Sequence, residues 1–148
     1  FTLRTTFIVG FPGETDEQFA HLMGFVREIQ FDRLGAFTYS PEEDTPAARM
    51  DGQLPEEIKQ KRLDELMTAQ QTFSLERNRL RIGTEEKVLV ETVDGKGHGV
   101  GRSAQEAPDT DGVIKLTGVS EADLGQFVRA RITDAEVYDL RAERIRED

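Results

Sequence analysis

Two hydrophobic periods in one chain predict an α/β fold in two parts: a strand–helix–strand unit with a connecting helix, then a small five-stranded OB-like β-barrel. Before residue 83, strand-like runs alternate with apolar residues at helical spacing, whereas from Glu85 onward the repeat shortens to two. The division is therefore expected between residues 1–82 and 83–148. The 148 residues, 36% apolar and 32% charged, suffice for one modest core or two small ones.

The first strand is read from Thr5 to Val9, a run of β-formers that breaks at Gly10, Pro12 and Gly13. Thr15 has the features of a helix N-cap, with Gln18 three residues on as a capping box requires. Phe19, Leu22, Met23, Val26 and Ile29 recur on one face of the helix that follows, and Leu34 to Tyr39 reads as the next strand. Strand, helix and strand in that order form a βαβ unit, which calls for parallel pairing and a right-handed crossover. After a loop from Ser40 to Leu54, Pro55 with Glu56 and Glu57 opens a long helix that Gly83 closes. Its expected inward stripe is Ile58, Leu63, Leu66, Met67, Phe73 and Leu80, leaving Lys59, Lys61, Glu65, Glu76 and Arg79 to face water.

Five short strands are then expected at Val88–Val93, Gly97–Ser103, Gly112–Leu116, Phe127–Thr133 and Tyr138–Arg144, and their number and spacing suggest the OB-like barrel. Gly95, Gly97, Gly99 and Gly101 alternate, so all four are expected on one face of a sharply coiled strand.

Composition removes several functions. The chain has no cysteine, which excludes disulfides, thiolate zinc sites and cysteine-ligated iron–sulfur clusters within these residues. A net charge of −10 argues against broad binding to a phosphate backbone and favours a basic protein partner. No apolar run approaches the roughly 18 residues of a membrane span, and no signal-peptide zones open the chain, so a cytosolic location and no membrane partner are expected. Because the chain begins at Phe1 with buried-strand character, we expect it to be a piece of a longer protein.

Two segments can carry chemistry. Ile8-Val9-Gly10-Phe11-Pro12-Gly13-Glu14-Thr15 sets a glycine-rich turn between a buried strand and a helix N-terminus, where backbone N–H groups can meet a ligand; it reads equally as a tight turn needing glycine dihedrals. Its ending is not that of a P-loop. Tyr39-Ser40-Pro41-Glu42-Glu43-Asp44-Thr45-Pro46-Ala47-Ala48 follows the second strand, at the same C-terminal sheet edge where parallel α/β folds place ligands; the alternative is a solvated acidic loop. His21 and His98 lack ligand spacing and read as structural, and Ser40 and Ser103 lack a hydrolase context.

The residues Phe7–Thr15 and Tyr39–Ala48 closely resemble the late strands of the radical-SAM (TIM-like) barrel in the methylthiotransferase family. That resemblance implies that Ile8, Gly10, Pro12 and Gly13 help form an S-adenosylmethionine pocket and that Tyr39 and Ser40 line the adjoining strand end. The region from Glu85 on resembles the TRAM domain that closes this family's proteins, and Gly101–Gly112 with Tyr138-Asp139-Leu140 resembles the RimO branch, which acts on a ribosomal protein. Thr110 stands where the family often has an aliphatic residue.

In the parent enzyme the resemblance implies two 4Fe–4S clusters and a deoxyadenosyl radical that leads to β-methylthio-aspartate on a small-subunit ribosomal protein. The cluster cysteines lie outside these residues, so no catalytic residue and no metal ligand is assigned here, and the chain alone is expected to be inactive. From Glu85 to Asp148 there are 15 acidic and 9 basic residues, which favours a basic ribosomal protein as substrate. Arg102, Glu106, Asp109 and Asp111 are the candidate substrate contacts, although Pro108-Asp109 and Asp111-Gly112 read as well as turns. A transfer-RNA methylthiotransferase of the MiaB branch is the alternative within the same chemistry. A non-catalytic RNA-binding barrel is the alternative outside it, but only Phe127 and Tyr138 are aromatic beyond Gly83.

Overall fold

The computed structural model describes residues 2–107 and 111–146, and the chain divides into two compact units, Phe1–Phe73 and Ser74–Asp148. In the first, β1 (Arg4–Val9) runs parallel to β2 (Arg33–Thr38), with Val9 opposite Thr38. The crossover is α1 (Asp16–Ile29). Its N-terminus is held reciprocally: the Gln18 N–H donates to the Thr15 hydroxyl oxygen at 3.1 Å and the Thr15 N–H to Gln18 Oε1 at 3.0 Å. The helix stops where Gln30 turns left-handed and its N–H returns to the Val26 carbonyl.

One face of the sheet, through Val9 and Leu34, packs on Phe19, Met23 and Val26 of α1 and on Leu66 of α2 (Glu56–Leu80). The opposite face carries Ile8 and Phe37 side by side in register, 59% and 64% exposed.

Helix α2 departs from its expected polarity. Lys59, expected in water, is 2% exposed, and the buried stripe continues through Arg62, Leu66, Gln70, Ser74 and Asn78, while Ile58 and Leu80 are exposed. The stripe keeps helical spacing but is mostly polar. Its side chains reach main-chain oxygens and carboxylates where other elements end. Gln70 Nε2 donates to the Phe31 carbonyl at 2.9 Å, and Asn78 Nδ2 to the carbonyls of Glu136 and Val137. Buried polar groups with such partners avoid the desolvation cost that would otherwise exclude them.

The second unit is a closed barrel in the order β3 (Glu85–Val93), β4 (His98–Arg102), β5 (Ile114–Thr117), β7 (Leu140–Arg144), β6 (Phe127–Ala135). All five expected strands are present. Every pair is antiparallel except β5 with β7. Val88, Val90, Ile114, Leu116, Ile132 and Leu140 fill the interior. The ring narrows at β4, where a Cβ on Gly101 would overlap the Leu89 carbonyl oxygen and one on Gly99 would lie 2.6 Å from that of Thr92. Only these two of the four alternating glycines lie in the strand. Gly95 and Gly97 instead take positive φ in the β3–β4 turn, which is how that short connection reverses the chain. Among the described residues no helix is long and apolar enough to cross a membrane.

Candidate functional site

The first candidate site is the C-terminal edge of the β1–β2 pair. The Tyr39 N–H donates to the Val9 carbonyl at 2.8 Å, which sets the end of β2 beside the turn after β1, and the Phe11 and Tyr39 rings meet edge-on at 5.4 Å. The two segments singled out in the sequence are therefore neighbours. Gly10 takes φ +79°, a conformation that favours glycine.

Three N–H groups of this turn are used internally. That of Gly10 donates to the Glu14 carboxylate, with both oxygens at 3.2 Å, that of Gly13 to the Gly52 carbonyl at 2.9 Å, and that of Glu14 to the Phe11 carbonyl at 2.9 Å. Three of the expected backbone donors are thus taken by the chain's own oxygens. What the edge offers instead is side-chain surface. Ile8 is exposed beside Phe37, Ser40 is exposed, Pro12 is buried as a strut, and the Tyr39 hydroxyl is buried with no hydrogen-bond partner among the described residues.

The second candidate lies on the barrel after β4. Glu106 is 5% exposed and points inward, its carboxylate 2.5 Å from Arg81 Nη1 and accepting the Ser103 N–H at 2.9 Å. Burial alone would raise its pKa; hydrogen bonds from Arg81 and Ser103 and the Arg81 charge outweigh that and hold the carboxyl below its usual range. Burial likewise lowers the pKa of Arg81, and Glu106 and Glu86 more than reverse the effect. Glu106 thus organises the loop from within.

Asp111 accepts the Ala107 N–H at 2.7 Å, while Arg102 is half-buried and paired with Glu91. Asp109 lies outside the described residues. His21 is exposed on α1, and His98 lies 3.2 Å from Asp94 in the β3–β4 turn. Among the described residues no group of three His, Cys, Asp or Glu side chains could hold a metal ion.

Against known proteins, residues 82–145 match the TRAM domain family model. The chain is 54% identical over 141 residues to the ribosomal protein uS12 methylthiotransferase RimO of Syntrophotalea carbinolica, covering 94% of this chain and 31% of that protein. The RimO proteins of Desulforudis audaxviator and Bordetella pertussis are 50% and 46% identical over 95% and 97% of this chain, and over 31% and 33% of their own lengths. Nearly the whole chain is thus similar to RimO proteins. It spans about a third of the length of the RimO proteins it matches.

Sequence reasoning missed one feature of this TRAM barrel. On the outer face of β3 and β6, Lys87 Nζ stands 4.7 Å from the centroid of the Phe127 ring, which is 60% exposed. Arg129 and Arg131 flank it, bridged by Glu85 at 2.7 and 3.0 Å. The alternation Phe127-Val128-Arg129-Ala130-Arg131-Ile132 already separates an outer set from an inner one. Its partner Lys87 is 40 positions away and becomes visible only with the strand pairing.

Proposed function

We propose that this chain is a portion of a radical-SAM methylthiotransferase that adds a methylthio group to the β-carbon of an aspartate in ribosomal protein uS12. In this reading the β1–α1–β2 unit is the late part of the TIM-like barrel, and the TRAM barrel recognises the substrate in the cytoplasm. The observation that carries it is the match to RimO proteins across both the strand-edge site and the barrel.

The residues at the strand edge fit S-adenosylmethionine. Ile8 and Phe37 offer an apolar surface for the adenine base, the exposed Ser40 hydroxyl supplies a polar contact, and Tyr39 lines the adjoining strand end. Gly10, Pro12 and Gly13 shape the turn that carries them. S-adenosylmethionine, when bound, supplies the transferred methyl group and the radical that activates the aspartate. Two 4Fe–4S clusters belong to the same chemistry, and with no cysteine in the sequence their ligands are not among these residues. The chain alone is therefore expected to bind and not to turn over.

On the barrel, Arg102, Asp109 and Asp111 are the proposed substrate contacts, and Glu106 supports them by tying the loop to Arg81. The acidic balance of this region suits a basic ribosomal protein and is unfavourable for RNA. Titration of the chain with uS12 and, separately, with transfer RNA at near-physiological salt tests this. Saturable binding to uS12 that Asp109→Lys and Asp111→Lys weaken is the expected result, and affinity unchanged by both would overturn the acidic-contact reading.

One observation favours a second reading, in which the barrel meets RNA. The Phe127 ring with Lys87, Arg129 and Arg131 is a stacking surface edged by cations. Binding to transfer RNA that falls steeply with salt and is lost in Phe127→Ala would support it.

A further inference from the structure

We infer that Lys59 and Arg62, less than one turn apart on α2, are positioning residues for the proposed S-adenosylmethionine pocket: they hold the Gly10–Thr15 turn and the end of β2 in place from behind. The inference rests on the pocket reading above. Lysine and arginine are almost never fully buried unless paired, and these two, 2% and 5% exposed, are both paired: Lys59 with Glu56 at 2.9 Å and Arg62 with Glu14 and Asp16.

Each is anchored to a different part of the wall. The Lys59 stem lies directly beneath Gly10, where a Cβ would come within 2.5 Å of its Cγ. Its ammonium donates to the Tyr39 carbonyl at 3.0 Å and lies 5.4 Å from the Tyr39 ring centroid. One side chain thus supports both ligand-facing segments.

Arg62 acts through a carboxylate. Its Nη1 donates to Glu14 Oε1 at 2.7 Å and to the Glu14 carbonyl at 3.1 Å, and its Nη2 donates to Asp16 at 2.8 Å. The Glu14 carboxylate in turn accepts the Gly10 N–H. The chain Arg62, Glu14, Gly10 therefore fixes the first of the turn's two positive-φ glycines, the one that directly follows β1. Both cations are buried while Ile8 and Phe37 are exposed, so their part is to hold the wall and not to line its open surface.

The cations matter because of how the turn's N–H groups are used. With these groups already engaged by internal acceptors, ligand geometry depends on where the turn is held, and a misplacement of about 1 Å is enough to cost orders of magnitude in a bound reaction. Lysine and arginine differ here. A forked guanidinium can hold Glu14 and Asp16 together, whereas a single ammonium serves one acceptor cluster.

The test uses the full-length RimO-family enzyme and measures equilibrium binding of S-adenosylmethionine without reductant, so that no turnover occurs, alongside uS12 binding and melting temperature. Lys59→Met keeps the stem and removes the ammonium; Arg62→Met removes the fork. Both are expected to weaken S-adenosylmethionine binding by about tenfold, with uS12 affinity unchanged. Ile8→Asp reports on the pocket itself. If it leaves the affinity unchanged, the pocket reading is overturned. If it weakens binding while Lys59→Met and Arg62→Met stay within about twofold of the parent, the positioning role is overturned and the pocket stands. Should either methionine variant fail to fold, Glu14→Gln and Arg62→Lys decide in the same assay: lowered affinity at parental melting temperature supports the inference, and unchanged affinity overturns it.

Discussion

The two units bury charge in opposite ways. In the first, the helix that backs the sheet turns a lysine and an arginine inward, and one face of a two-stranded sheet stays open with Ile8 and Phe37 on it. In the second, the ring is closed, its interior is aliphatic, and the buried ion pair of Arg81 and Glu106 lies outside that core. Closure lets the barrel satisfy its strand hydrogen bonds by itself, whereas the β1–β2 pair relies on polar side chains from α2 to secure its ends. The difference teaches that strand ends can be secured either by ring closure, as in the second unit, or by polar side chains from a backing helix, as in the first.

The largest effect should come from breaking closure. Gly101→Val sets a side chain against the Leu89 carbonyl, where backbone must move, and is expected to remove at least about 3 kcal/mol of barrel stability. In urea titrations the barrel transition should be lost while the helical signal of α1 persists; retention of both would show that the ring can open locally.

Next in size is Arg81→Met, which strands the Glu106 carboxylate in the interior at a cost of about 3–5 kcal/mol. Glu106 titrates below its usual value near 4.5 when folded, so its stabilising contribution is complete above that pH and is lost as pH falls further. Parent barrel stability should therefore decline on acidification below about pH 4.5, and Arg81→Met should flatten that decline. A parallel acid response in both proteins would remove Glu106 from the account.

Smaller differences sharpen the contrast between the packed interior and the open face. Ile132→Val in the barrel is expected to cost about 0.5–1.5 kcal/mol. Ile8→Thr on the exposed sheet face should stay within about 0.5 kcal/mol in stability. Equal losses by thermal unfolding would mean that the Ile8 face is covered in solution.

Local signals carried much of this fold in the sequence. Thr15 with Gln18 marks its helix start without reference to anything distant, and the period of two places all five barrel strands. The polarity of α2 was illegible because periodicity searches weigh apolar residues, while its buried stripe is set by the oxygens that Lys59, Arg62 and Gln70 meet in other elements. Glu106 reads from sequence as a substrate contact for the same reason: Arg81, its partner, precedes it by 25 positions. At the strand edge the residue types were legible from the two motifs. The internal use of the Gly10 and Gly13 N–H groups depended on Glu14 adopting one rotamer and on Gly52 arriving from the loop.

The parallel pairing of β7 with β5 has a consequence for synthesis. Because β7 also pairs with β6, no ring exists until residue 144 has been added. A ribosome working at about 5–20 residues per second needs roughly 3–12 seconds to travel from Glu85 to Arg144. Within that interval the outer edge of β4 waits for β5 and that of β3 for β6, and even with both in place β5 and β6 keep open edges until β7 closes the ring between them.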